Sequence, residues 1–387
     1  MNLVYISPHY PTYYGLFVER LAARQVKVFG ISDRPDEGLA PSLRQALSGH
    51  YRVDRLDDTG QVLRACRFFQ NRWGPIDRVE SHLEPWIQLE ALIRENFNVP
   101  GPKPSDLRFI KEKSQMKQVF QKAGVQTAKG MIVQDYNASL AFINGRYPVF
   151  IKPDIGVGAA DTFTIKSKDD LNRFYTVKND HSYFMEEFLS GRIESFDGLT
   201  DQEGNILFYT SHIFSNDIHK IVVNNENLSY YSVRRLPPDL EDQGKRVVNA
   251  AGIREKFFHI EFFRLPDGTL RALEINMRPP GGLTAHMFNF ACDIDVYDWW
   301  AKMMTGMPAK DSYERKYHCA FIARKFDRPY AFTHEEILSK LGDKFVHYQE
   351  MNPIEFAVMG NVGYLVRSPD ENEIHSAVRV ITQELVP

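Results

Sequence analysis

The chain has 387 residues, 43% of them hydrophobic and 25% charged, with a net charge of −3; this is an ordinary globular composition, long enough for two or three domains. The charge balance argues against a nucleic-acid binder, which would carry a basic domain or stripe, and no stretch of about eighteen apolar residues is present to span a membrane. Cys66, Cys292 and Cys319 lie far apart and form no C-x-x-C pair, which argues against a disulfide framework or a zinc–thiolate site and, with an opening Met1–Ile6 that has neither a basic leader nor a long apolar core, leads us to expect a cytoplasmic protein.

Leu3–Ile6 is a short apolar run that ends at the turn signal Ser7-Pro8, and so reads as a buried strand. A helix over Leu16–Ala23 and a strand over Val26–Ile31 follow. This β-α-β order predicts a doubly wound parallel sheet. No G-x-G-x-x-G follows the first strand, which argues against a dinucleotide site there. Val99–Pro104 holds three prolines and a glycine in six residues, and we place a domain boundary at 104. A helix then starts at Ser105 or Asp106; Phe109, Met116, Phe120 and Ala123 fall on one face, and Gly124 stops it. From residue 130 the pattern turns to strands, at Gly130–Val133, Pro148–Lys152, Phe163–Ile165 and Tyr183–Leu189. Ser167–Asp170 has the form of a capping box. Met287–Met304 is helical in pattern, and Thr333–Glu336 and Ser368–Glu371 look like boxes opening helices in an α/β tail.

Three segments carry chemistry. Phe258–Phe263 and Leu270–Gly282 flank a Pro-Asp-Gly turn and read as a hairpin. Glu274 and Asn276, two apart on one strand, share a face; with Glu261 from the first strand they form an all-oxygen set that suits Mg²⁺. Arg278 beside it would clamp a transferring phosphoryl group, and Gly281-Gly282 would let backbone N–H groups approach an anion. Standing alone, Glu-x-Asn also fits a hairpin of solvated acids. Second, Lys152 ends the apolar strand 148–152 and precedes a loop with Gly156 and Gly158; a phosphate would supply its counter-charge, although a snorkelling lysine at a hairpin fits as well. Third, Met185-Glu186-Glu187-Phe188-Leu189 runs into a loop, where backbone groups can pair with an adenine edge and Glu194 can accept from ribose hydroxyls; an acidic strand end is also commonly just solvated.

Together these segments resemble the ATP-grasp superfamily. The match is carried by Glu261 with Glu274-Ile275-Asn276-Met277-Arg278-Pro279-Pro280-Gly281-Gly282, by Lys152 with its glycine loop, by Lys111–Lys117 followed by Ala123-Gly124-Val125, and by Glu186-Glu187-Phe188, all in the right chain order. It covers about residues 80–310. The resemblance implies α/β and α+β architecture: an N-terminal doubly wound parallel-sheet domain (1–104), an ATP-grasp domain (105–310) with a lid lobe (about 126–188), and a small C-terminal α/β subdomain (311–387).

The resemblance also implies ATP and Mg²⁺, with Mn²⁺ as an alternative metal. Lys113 and Lys152 would be the nucleotide lysines. Gly156 and Gly158 would cover the phosphates, Glu186, Glu187 and Phe188 would form the adenine hinge, and Glu194 would hold the ribose. Glu261, Glu274 and Asn276 would hold the metal, and Arg278 would be catalytic. The implied reaction joins a small-molecule carboxylate to an amine through an acyl phosphate. Glu84, Arg234, Gly281, Gly282 and His286 are the substrate candidates, with His82, Arg235 and the tyrosines 10, 13 and 14 near them. An ATP-grasp carboxylase or purine-pathway ligase, and a non-catalytic nucleotide sensor, are the alternatives. Neither a nucleic acid nor a membrane is expected as partner, and a homodimer is common in the superfamily.

Overall fold

The computed structural model describes residues 1–156, 161–215, 225–308 and 312–385. Its first strands, β1 (Asn2–Ile6), β2 (Lys27–Ser32), β3 (Gly49–Arg52) and β4 (Arg78–Glu80), form an all-parallel sheet in the order β3-β2-β1-β4. The apolar runs of β1 and β2 are buried throughout, as a parallel sheet covered on both faces requires.

A second sheet joins β5 (Gly130–Ile132), β8 (Tyr183–Glu187), β6 (Val149–Pro153) and β7 (Phe163–Ile165) in that order. The third and largest sheet runs β14 (Leu270–Asn276), β13 (Phe257–Arg264), β9 (Arg192–Thr200), β11 (His212–Phe214), β12 (Ser229–Ser232), β15 (His318–Arg324), β17 (Val362–Ser368) and β16 (Phe345–Glu350), with β10 (Ile206–Thr210) pairing β9. Its antiparallel ladder continues through residues 318–368, so the C-terminal segment extends the same sheet that carries Glu261 and Glu274.

Three elements depart from the sequence reading. The helix expected from 105 is broken at Glu112, whose backbone is extended (φ −92°, ψ 112°) and bridges Ile155, and a new helix starts at Lys113. The Lys113 amide donates to the Asp154 carbonyl at 3.0 Å; the pairing pins the end of β6 to the start of the Lys113–Lys122 helix, a long-range contact that no local pattern encodes. Asp293, in the left-handed region (φ 50°), splits 287–304 into helices Thr284–Cys292 and Val296–Met304. The last helix is capped by Asp370 rather than Ser368, because Asp370 accepts from the Asn372 amide while Ser368 bonds Glu373. The Thr333 box forms as expected.

The parallel sheet and the large sheet share one core, in which Tyr5 and Phe17 meet Phe257, Tyr297 and Trp300. At its edge sits a buried ionic network. Lys256 Nζ lies 2.5 Å from Glu80 and 2.8 Å from Glu90, and Arg94 is 2.8 Å from the same Glu90. Burial alone would raise the Glu80 carboxyl, but Lys256 and Arg94 outweigh it and hold it below the usual range. Glu80 ends β4, so this network anchors the segment that carries Glu84. Replacing Lys256 by Met leaves buried Glu80 without its ion-pair partner and Glu90 with Arg94 alone; we expect a loss of about 3–5 kcal/mol, read as a lower denaturation midpoint than that of wild type.

Candidate functional site

The second sheet brings its charges to one spot. Lys152 shares a face of β6 with Phe150, whose ladder partner on β8 is Glu186, so Lys152 Nζ reaches Glu186 at 2.5 Å. The second Glu186 oxygen takes Lys117 at 3.0 Å. Glu186 is buried, which would raise its pKa, but the two ammonium groups pull it below the ordinary value. Lys113, one turn before Lys117, donates to the Gly156 carbonyl at 3.0 Å. Burial and the nearby Lys152 charge both lower its pKa. Asp154 fixes this helix start, accepting from the Ser114 amide and hydroxyl at 2.8 Å each. Three ammonium groups therefore line this wall against two buried carboxylates, Glu186 and Asp154, which leaves it positive.

The large sheet supplies the opposite wall. Glu261 on β13 lies directly opposite Glu274 on β14, and His259 opposite Asn276; ladder partners share a face, so both carboxylates and the amide do too. Burial and then the Glu261 charge raise the Glu274 pKa, opposed by Lys113 and Lys152, with Glu84 also raising it. One carboxylate thus feels Glu261, both lysines and Glu84 at once. Arg278 Nε donates to Glu84 at 3.0 Å, which joins a residue after β14 to one after β4.

Among the described residues no three His, Cys, Asp or Glu side chains converge on one point. The set here is two carboxylates and an amide oxygen, which fits Mg²⁺, an ion that keeps waters and takes phosphate oxygens for its remaining positions.

Some of the expected residues are elsewhere. On β9, Ser195 and Asp197 pair with Glu261 and His259, whereas Glu194 pairs with Phe262 and so points to the other face. Its carboxylate is taken by Arg192 and Arg264, at 2.5 and 2.8 Å. Glu194 is not at this site, and Ile193 holds the corresponding place on the near face. Arg234 is also remote, bonded to the carbonyls of Arg315 and Pro369. Glu186 is a counter-ion for lysines rather than a free hinge group, and Glu187 accepts from the Lys129 amide at 3.0 Å. Phe188 and the residues after it line a cleft of about 620 Å³ with Ile193, Phe214, Tyr230 and Phe263. The Gly281 carbonyl accepts from the Thr284 hydroxyl at 2.6 Å. Gly282 has φ +61°, and a Cβ there would lie 2.8 Å from Tyr230 Oη and 3.1 Å from Met359 Sδ; its carbonyl takes the Tyr13 hydroxyl. His286 packs among Tyr13, Tyr297 and His347, and burial, then His347, pushes its pKa down to about 4. Gly158 lies outside the described residues.

No family model matches the chain. A curated relative, the L-arginine-specific L-amino acid ligase of Bacillus subtilis, is 24% identical over 258 residues, 64% of this chain and 62% of that protein; the chain thus spans less than two thirds of its length. Among solved structures, an L-amino acid ligase from Bacillus licheniformis superposes with a TM-score of 0.74 at 16% identity, covering 98% of this chain and 96% of that one. The N5-carboxyaminoimidazole synthetase of Staphylococcus aureus, complexed with ADP, gives 0.72 at 16% identity over 97% and 95%.

The fold is ATP-grasp. Two of its sheets bear the charged walls described above, and the matched proteins are named as amino acid ligases and as a synthetase complexed with ADP.

Sequence reasoning missed the group that supports Glu261. Asp197, fully buried, bonds His212 at 2.7 Å and His259 at 2.6 Å, and His259 Nε2 lies 3.4 Å from Glu261. Finding it required the β9–β13 register. Lys117 was within reach, being one turn from Lys113 on the same helix face. Glu355, which faces the Tyr10 hydroxyl and has its pKa raised by burial, carried no local signal.

Burial alone would lower the His259 pKa, but Asp197 outweighs it and raises it from the ordinary 6.5 to about 9. A raised folded-state pKa means tighter proton binding when folded; this stabilisation is complete below 6.5 and lost as pH rises through about 9. Asp197→Asn should remove about 3–5 kcal/mol at neutral pH. It should also flatten the decline in unfolding midpoint over that alkaline interval, as measured by denaturant titration at a series of pH values.

Proposed function

We propose that the chain is an ATP-dependent carboxylate–amine ligase. The observation that carries this reading is that Glu274 lies within electrostatic reach of Glu261, Lys113, Lys152 and Glu84 together, so a positive wall faces a paired-carboxylate wall with Arg278 beside them. The nucleotide phosphates would lie against Lys113, Lys117 and Lys152, and the adenine ring in the cleft lined by Phe188, Ile193 and Phe263 among polar groups. Mg²⁺, held by Glu261, Glu274 and Asn276, neutralises charge on the phosphates when bound. The ADP complex of the synthetase that shares this fold supports the nucleotide assignment.

In the reaction, a substrate carboxylate oxygen attacks the γ-phosphorus of ATP, the bond to the β,γ-bridging oxygen breaks, and ADP leaves. The amine nitrogen then attacks the acyl carbon, phosphate departs, and the amine releases a proton. The protein contributes positioning and electrostatics. Lys113 and Lys152 stabilise charge on the transferred group, and Arg278, steered by Glu84, sits where the carboxylate and the new phosphate meet. Burial favours this arrangement, since charge interactions strengthen where water is excluded. The relative named for L-arginine-specific amino acid ligation makes amino acids the first substrates to try.

The test is ADP release from ATP and Mg²⁺ against amino acids, singly and in pairs, with bicarbonate as a further acceptor. ADP should appear only with particular carboxylate–amine pairs and vanish in Glu274→Ala. Arg278→Ala should lower kcat by about 10²–10³-fold while leaving ADP affinity unchanged. Release that needs bicarbonate and no amine would replace this reading with a carboxylase, and ADP binding without turnover on any pair would contradict catalysis.

A further inference from the structure

Arg234, a substrate candidate on sequence, and Arg235 lie away from Glu274, in a second cleft of about 630 Å³ on the face of β9 that carries Glu194. Arg192, Arg315 and Ser211 line it with them. Arg234 and Arg315 lock two loops together: Arg234 Nε donates to the Arg315 carbonyl at 3.4 Å, and Arg315 Nε to the Arg234 carbonyl at 3.2 Å. Their other bonds go to the carbonyls of Pro369 and Tyr209 and to the Tyr313 hydroxyl. Every one of these partners is neutral, and among the described residues neither guanidinium has a carboxylate within ion-pair distance. Two permanent positive charges are thus fixed in place with N–H donors to spare.

The acids of the cleft are engaged or peripheral. Glu194 is held by Arg192 and by Arg264 from outside, Glu371 takes the Tyr231 hydroxyl at 2.6 Å, and Glu314 is exposed. Arg235 is exposed at the rim. A second observation points the same way: the Ser211 side chain is 1% exposed, and its hydroxyl has no hydrogen-bond partner among the described residues. Buried polar groups are normally satisfied, so this hydroxyl on the wall of a positively charged, metabolite-sized cleft is a donor awaiting an acceptor.

We propose that this cleft binds a small oxyanion, a carboxylate or phosphate, through Arg234, Arg235, Arg315 and Ser211, independently of the nucleotide. Guanidinium forks match both anions in geometry, and the apolar Ile213 and Val233 on the same wall accommodate the body of an organic anion. Arg192, Ile213 and Glu371 border both this cleft and the one given to adenine, but Arg234, Arg235, Arg315 and Ser211 line only this one, so the inference stands whether or not the ligase reading does.

Isothermal titration calorimetry on the full chain, with Mg²⁺ and ADP saturating, tests it with citrate and inorganic phosphate as separate probes. One equivalent of at least one probe should bind. Citrate alone would assign the site to carboxylates, phosphate alone to phosphates. Arg235→Glu, at an exposed position, should weaken that binding by roughly tenfold or more and leave ADP affinity unchanged. Absence of binding by both probes to wild type, or equal binding by wild type and Arg235→Glu, would overturn the proposal.

Discussion

Glu261 and Glu274 are fixed directly opposite one another across β13 and β14, and much of the site is arranged around that repulsion. Two carboxylates on adjacent strands disfavour each other's charge, and burial makes it worse. The fold tolerates the pair because Lys152 on β6 and Lys113 at the start of the adjoining helix stand opposite it, and because His259, itself held by Asp197, lies beside Glu261. A cation between the walls would relieve the pair, and a polyphosphate would meet the positive side.

Holding the walls in place falls to contacts far apart in sequence. The break at Glu112 exists because the chain there bridges Ile155; it puts the Lys113–Lys122 helix, and with it two lysines, at the end of β6. The Lys256 network at the junction of the parallel and large sheets anchors Glu80, four residues before Glu84, which in turn holds Arg278. The C-terminal segment closes the far side, with Met359 and Tyr230 packed so tightly on Gly282 that no side chain would fit there. Lys117 and Lys152 are thus oriented by buried Glu186 and Glu261 by buried His259, as a preorganised electrostatic site requires.

Much of this was legible in the sequence where chemistry and period coincide. Glu274 and Asn276 share a face because they are two apart on a strand, and the Pro-Asp-Gly turn fixed their partner hairpin; Lys152 was identifiable as a lysine ending an apolar run. The parallel sheet was legible from the order of apolar runs and breaks. What failed did so for physical reasons. Glu194 looked like a ribose ligand from its distance along the chain, but its face depends on the register of β9 against β13, and a shift of one residue inverts every side chain. The residues that pack on Gly282, Tyr13, Tyr230 and Met359, come from distant parts of the chain and carried no local signal. The Asp197 group joins three strands, and no single segment announces it.

The central claim is that the two charged walls form one metal–nucleotide site. ADP affinity measured by calorimetry over a range of Mg²⁺ concentrations, in wild type and in Glu274→Gln, addresses it without knowledge of the substrate. The account predicts that wild-type affinity rises steeply with Mg²⁺ and that the variant, with the carboxylate pair dissolved, binds ADP with little dependence on the metal. The same Mg²⁺ dependence in both proteins would contradict it.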